Sequence, residues 1–285
     1  MNIFNKEELK KLYIPAKTSH KGQNGKLTII GGSHLFHGAS LWALKVASRI
    51  VDMVFYSSTA ENNELTEKLK GELYDFIAVP REKVEEYIEE SDALLIGPGL
   101  AREEGRGENE ESTKSLTERL LKKFPTKKWV IDAGSLQMME AEWLKELNGN
   151  VIITPHQKEF EKLFDVTSNK LVSDMLPNNL LPIAKEYNCV ILLKGPTDIV
   201  CSSTECVEIT GGNEGMTKGG TGDVLAGLVA ALSCKNDLFL AAKTASFINK
   251  KAGDSLYKKV GPYFNASDLA DEIPKVMAQQ KFFSS

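Results

Sequence analysis

Apolar and polar positions alternate along the chain in short blocks. Leu27-Thr28-Ile29-Ile30 runs into Gly31-Gly32-Ser33, which predicts a buried strand closing in a turn. Between Ala39 and Val51 the positions Leu41, Leu44, Ala47 and Val51 fall at near-helical spacing. Strand candidates then recur. Met53–Tyr56 is one, and Phe76–Val79 is another that Pro80 ends. Ala93–Ile96 breaks at Gly97-Pro98-Gly99, and Trp129–Ile131 ends in Asp132-Ala133-Gly134. Val151–Ile153 ends in Thr154-Pro155-His156, and Val190–Leu193 in Lys194-Gly195-Pro196-Thr197. Val84, Tyr87 and Ile88 mark a short charged helix. Residues 198–203 and 207–210 predict an antiparallel ribbon turning at Ser203-Thr204-Glu205. Two helices close the pattern, one striped by Leu225, Leu228, Val229 and Leu232, the other by Ala241, Ala245, Ile248 and Ala252. The small residues of these stripes suggest close helix packing.

Short β-branched runs punctuated by helical segments point to βαβ units and an α/β fold with a mainly parallel sheet. Ligands of open α/β sheets bind at the carboxyl ends of the strands. Gly97, Asp132, His156 and Lys194 therefore converge on one edge, unless Gly and Pro there are only turn chemistry. No repeat or Pro-rich linker marks a boundary, so residues 1–285 are expected to form a single domain. The stretch 101–113 is the most polar and is expected to be a solvated loop or helix start.

Composition narrows the classes. Of 285 residues, 42% are hydrophobic and 26% charged, enough for a large core without a disulfide or metal staple. Lys plus Arg number 35 against 39 Asp plus Glu, so no basic bias supports binding to nucleic acid or to a membrane surface. The longest clean apolar run, Val224 to Cys234, is too short to span a bilayer. The N-terminus carries no apolar leader, so the expected location is the cytoplasm. Cys189, Cys201, Cys206 and Cys234 lack CxxC spacing and are expected to be reduced thiols.

The chemistry concentrates between Gly211 and Asp223. Six glycines precede a carboxylate that opens an apolar helix. Glycine lets backbone N–H groups approach an anion, and the first N–H groups of a helix favour phosphate. The segment is neither a Walker A loop nor a GxGxxG at a first strand. A carboxylate beside a phosphate cradle suits a general base toward a hydroxyl that attacks a phosphoryl group. The other reading of Asp223 is a helix N-cap in a tight turn.

The string GGTGDVLAG resembles the anion-hole segment of the ribokinase-like superfamily, whose Asp is the base. The longer run from Gly212 to Gly227 closely resembles the ADP/ATP-dependent NAD(P)H-hydrate dehydratases. Further matches follow in order: Ser19-His20-Lys21-Gly22, Ile30-Gly31-Gly32-Ser33 with Gly38-Ala39, Ile96-Gly97-Pro98-Gly99-Leu100, Ile153-Thr154-Pro155-His156 with Glu159-Phe160, and Lys194-Gly195-Pro196-Thr197.

The resemblance implies a three-layer α/β/α fold and an enzyme that repairs hydrated NADH and NADPH. It would phosphorylate the C6 hydroxyl of the S hydrate (NADHX or NADPHX) at the expense of ADP or ATP and then expel phosphate. Asp223 would be the base, with Gly220 and Gly222 in the anion hole. Ala39, Gly99, His156, Asn213 and Asp223 would touch the hydrate. Lys194, Gly195, Pro196, Thr197, Asp198, Gly219, Thr221 and Gly222 would hold the nucleotide. Mg²⁺ would ride on the nucleotide phosphates, with no metal-ligand cluster in the protein. The resemblance also implies a homo-oligomer, often a tetramer, and a separate epimerase, because little chain precedes the first strand candidate. Glu214 and Lys218 depart from the usual pattern. Lys218 could attract phosphate or point to solvent. Two rival readings remain: a ribokinase-like kinase of a vitamin precursor, and a non-catalytic nucleotide-binding protein.

Overall fold

The computed structural model describes residues 2–68, 74–102, 111–166 and 176–279. Residues 103–110, most of the polar stretch singled out above, lie outside the described residues. Ten strands form one sheet: β1 (Asn2–Ile3), β2 (Lys26–Ile30), β3 (Met53–Ser57), β4 (Ile77–Val79), β5 (Ala93–Ile96), β6 (Lys128–Ile131), β7 (Val151–Ile153), β8 (Val190–Leu193), β9 (Asp198–Cys201) and β10 (Cys206–Ile209). Their order is β1-β10-β9-β8-β7-β6-β5-β2-β3-β4. Pairings from β4 through β8 are parallel, whereas β8–β9 and β9–β10 are antiparallel.

Alternate strand residues feed two cores, one on each face. Leu27, Ile29, Val54, Leu95, Val130, Ile152 and Leu192 pack against α1 (Gly38–Ala47), α8 (Thr221–Ser233), α9 (Leu238–Val260) and α10 (Ala266–Gln279). Ile30, Leu94, Ile96, Trp129, Ile131, Ile153 and Ile191 face α3 (Val84–Glu90), α4 (Thr113–Lys123), α5 (Ala133–Met138), α6 (Gln157–Leu163) and α7 (Leu176–Glu186). Burial on both faces explains why the strands read as continuous apolar runs rather than alternating ones. The layering is the expected three-layer α/β/α.

Close packing between α1 and α8 comes from a missing side chain. A Cβ at Gly227 would lie 2.5 Å from the carbonyl oxygen of Ala43. Helix α1 ends at Ala47, short of the predicted Val51, which is nevertheless buried. Helix α4 starts at Thr113 with Ser112 as its cap, the hydroxyl accepting from Ser115 N at 3.1 Å. Helix α2 (Ala60–Lys68) and strand β1 have no counterpart among the predicted elements.

One sequence expectation fails. Cys201 and Cys206 form a disulfide rather than free thiols. The two residues are direct cross-strand partners of the β9–β10 ribbon, so the register brings their side chains together. Cys189 and Cys234 are free, as expected. Burial pushes the Cys189 thiol up to about 12 and raises that of Cys234 as well, so neither is a reactive thiolate. Among the described residues no helix is long and apolar enough to cross a membrane.

Candidate active site

The carboxyl ends of β5 to β8 do meet. A Cβ at Gly97, which has φ 123°, would collide with the carbonyl oxygen of Asp132 at 1.8 Å, so only glycine lets these two strand ends close. His156 and Lys194 form a parallel bridge beyond β7 and β8, and Lys194 N donates to Pro155 O at 2.9 Å. Lys194 Nζ reaches Asp132 Oδ1 at 2.8 Å. Thr154 Oγ1 donates to the same oxygen at 2.9 Å. The acidic centre of this edge, Asp132, is almost fully buried. Burial opposes the charge on Lys194, but the carboxylates of Asp132, Glu159 and Asp223 outweigh it and hold the ammonium above the usual lysine range.

Opposite stands the amino end of α8. Gly220 takes the left-handed conformation at φ 93° and precedes the first helical turn. A Cβ there would strike the Trp42 ring at 2.4 Å. Thr221 Oγ1 donates to Met216 O at 2.6 Å and to Lys218 O at 2.9 Å, which closes the loop on itself. Among the described residues the N–H groups of Gly219, Gly220 and Gly222 have no backbone acceptor, so they remain available to an anion. A Cβ at Gly222 would lie 3.6 Å from Lys194 Nζ, which places the ammonium against this helix start.

Asp223 is half-buried and makes no ion pair among the described residues. Burial and the charge of Asp132 push its carboxyl up to about 7, and Lys194 only partly offsets them. An acid titrating near neutrality suits proton transfer better than a structural role requires. It is not the N-cap of α8, a position taken by Gly220.

A cavity of about 620 Å³ opens beside this helix start. Of the predicted nucleotide residues it is lined by Lys194, Gly195, Pro196, Asp198, Thr221 and Gly222, and Asn213 joins them. Thr197, Gly219 and Gly220 are not on its wall. Asn213 Oδ1 accepts from Gly215 N at 3.1 Å, while its buried Nδ2 has no partner. Asp198 is fully engaged: Gly195 N donates to it at 2.9 Å and Ser246 Oγ at 2.7 Å. Its part is to shape the turn.

Of the predicted hydrate residues, Ala39 and Gly99 lie side by side, whereas Asn213 belongs to the cavity just described. A Cβ at Gly99 would lie 3.2 Å from that of Ala39. His156 caps α6 through a reciprocal pair. Its Nδ1 accepts from Glu159 N at 3.2 Å, and its own N–H donates to Glu159 Oε2 at 3.0 Å. That cap leaves Nε2 as the protonated nitrogen of the neutral ring, on a half-exposed side chain. Of the two departures from the family pattern, Lys218 turns outward, and Glu214 stands on the cavity wall while bonded to Tyr257. Lys218 Nζ donates to Pro262 O, and Tyr257 OH donates to Glu214 Oε1 at 2.6 Å.

Sequence reasoning noted Asp132 only as a strand-end residue, and Lys250, Asn249 and Ser246 not at all. All three of the latter lie on α9, where nothing but topology brings Asn249 and Lys250 to the cavity wall and Ser246 to Asp198.

Comparison with known proteins matches this architecture. The sequence profile of the NAD(P)H-hydrate dehydratases matches residues 27–275. The chain belongs to that family. Within the family it is 35% identical to a bifunctional NAD(P)H-hydrate repair enzyme of Methanocaldococcus jannaschii, over 95% of this chain and 51% of that protein. The chain thus spans about half the length of the first curated relatives it matches. It is 34% identical to an ADP-dependent (S)-NAD(P)H-hydrate dehydratase of Nitrosopumilus maritimus, over 94% of each chain. The fold superposes on the ADP/ATP-dependent NAD(P)H-hydrate dehydratase of Bacillus subtilis co-crystallised with ATP/Mg²⁺, with TM-score 0.80 at 22% identity and 98% of each chain covered.

Proposed function

We propose that the protein dehydrates the S hydrate of NADH or NADPH, using ADP or ATP as phosphoryl donor. The observation that carries the reading is Asp223: a half-buried carboxyl titrating at about 7, next in the chain to Gly222 at a helix start with open N–H groups, where Gly222 and Thr221 line a cavity together with Lys194, Gly195, Pro196 and Asp198. The names of the Methanocaldococcus and Nitrosopumilus relatives support the same substrate.

Asp223 takes the proton of the C6 hydroxyl. The freed oxygen attacks the terminal phosphoryl group, whose bond to the nucleotide breaks. The N–H groups of Gly219, Gly220 and Gly222 hold the moving phosphoryl oxygens, and Lys194 balances their charge. The C6–O bond then breaks with loss of phosphate and of a proton from C5, which restores the C5=C6 double bond. Phosphate leaves where hydroxide would not. Ala39, Gly99 and His156 face the hydrate in this scheme, and Lys194, Gly195, Pro196, Thr197, Asp198 and Thr221 shape the nucleotide end, with Asn213 between the two.

Among the described residues no three His, Cys, Asp or Glu side chains group as a metal cage. Asp132 is engaged by Lys194 and Thr154, and Asp223 is the carboxylate nearest the helix start, so Mg²⁺ would be carried by the nucleotide phosphates, where it would supply charge neutralisation.

The test incubates the hydrate with ADP or ATP and follows the return of reduced-nicotinamide absorbance. Wild type restores it, and Asp223→Asn loses about a hundredfold or more while still binding nucleotide. Phosphorylation of a vitamin-precursor alcohol with no hydrate turnover would replace this reading with a kinase. Nucleotide binding without any turnover would replace it with a binding module.

A further inference from the structure

We infer that Lys250 is a positioning residue for nucleotide, acting by fixing the Gly195-Pro196-Thr197 turn from behind. The inference rests on the nucleotide reading of the cavity given above. Lys250 sits in the middle of α9 and is only 5% exposed. Its ammonium donates to Gly195 O and to Pro196 O, both at 3.0 Å, and lies 3.3 Å from Asp198 Oδ1. One helical turn earlier on α9, Ser246 holds the other carboxylate oxygen of Asp198. The helix therefore grips the turn at two successive rungs.

The same side chain touches the opposite wall. A Cβ at Gly212 would lie 3.4 Å from Lys250 Cγ, and one at Gly211 would lie 3.7 Å from Lys250 Cβ. Gly212 N in turn donates to Asp254 Oδ1, also on α9, at 3.0 Å. Both walls of the cavity are thus spaced by one helix, with Lys250 as the strut between them.

A buried ammonium is an expensive way to fill space, because an apolar side chain of the same length carries no desolvation cost. What the charge adds is direction. It orients two consecutive carbonyls of a turn that Asp198 ties through the Gly195 N–H and to which Pro196 adds no donor of its own. A turn fixed in this way meets the nucleotide already ordered, which raises affinity without touching the reacting atoms.

The experiment measures ADP affinity by calorimetry, turnover at saturating nucleotide, and thermal melting without ligand. It compares wild type, Lys250→Met and Lys250→Gln. Lys250→Met keeps the stem and removes the donor, and is expected to weaken ADP binding about tenfold or more, with turnover at saturation falling far less. Lys250→Gln still donates to the carbonyls and is expected to recover part of the affinity. A role in stability alone would lower the melting temperature and leave the affinity of the folded fraction where it was, and that result overturns the inference. So does a turnover loss as large as the affinity loss. If Lys250→Met does not fold, Lys250→Gln decides: a severalfold loss of ADP affinity with saturated turnover near wild type supports the inference, and affinity equal to wild type overturns it. Wild type that binds neither ADP nor ATP defeats the nucleotide reading itself, a result distinct from unchanged affinity in the variants.

Discussion

Lys194 and Asp132 form a buried ion pair at 2.8 Å, and both act on the charge state of Asp223 in opposite senses. Asp132 raises the Asp223 carboxyl and Lys194 lowers it. Removing the charge of Asp132 should therefore move Asp223 down. Asp132→Asn is expected to shift the acid limb of kcat/KM toward lower pH, from its starting point near 7, while the limb keeps its shape. A pH–rate profile of the two proteins checks this. An acid limb that stays in place would mean that another group controls it.

Asp223 also has a thermodynamic signature. Its folded value of about 7 lies above the ordinary 3.8, so the folded state binds the proton more tightly than the unfolded state. Its ionisation thus costs stability, and the cost grows as pH rises from about 4 to about 7. Asp223→Asn removes this cost. The variant is expected to be more stable than wild type at pH 8 by ~1–3 kcal/mol, the shift being discounted for a partly solvated group. The gain should vanish near pH 4. Denaturant melts at the two pH values measure it, and a variant equally stable or weaker at pH 8 counts against the assignment.

Glu272 has the opposite sign. It is almost fully buried on α10, and burial alone would raise its carboxyl. Lys259, Ser255 and Lys275 overcome that and hold it down at about 2. Its contribution is complete above pH 4.5 and is lost as pH falls toward 2. Glu272→Gln is expected to cost ~1–3 kcal/mol at neutral pH, with allowance for the exposed lysines, and nearly nothing near pH 2. Equal losses at both pH values in urea melts would contradict this.

Gly220→Ala meets two penalties at once. Alanine strains at φ 93°, and its Cβ would enter the Trp42 ring. The expected loss is ~2–4 kcal/mol, the sum of a left-handed non-glycine residue and an overpacked contact. Gly219→Ala is the control, because a Cβ there meets nothing within 4 Å. Its stability should stay near that of wild type, and a drop as large as at Gly220 would rule out the packing argument.

The strands are legible in the sequence because burial on both faces writes itself as β-branched runs ended by Gly, Pro or Asp. The Gly211–Asp223 segment is legible for a related reason, since unobstructed N–H groups require glycine. Helix α2 is not, because its residues Ala60–Lys68 are mostly polar and carry no apolar stripe. Strand β1 is two residues long and exists only because β10 receives it. The Cys201–Cys206 bridge hides for want of a recognised spacing, although the ribbon was foreseeable and only its exact register was not. Lys250 is the clearest case. In sequence it is one of two adjacent lysines on a helix, and nothing local tells it from Lys251, which pairs with Asp254 at the surface.

Strand β1 has a consequence for the protein in crowded solution. It contributes Asn2–Ile3 to one margin of the sheet, and β4 contributes only Ile77–Val79 to the other. Margins this brief present few unpaired backbone groups, so a neighbouring molecule finds little to zip onto, and the broad ladder between them stays out of reach of amyloid-like growth.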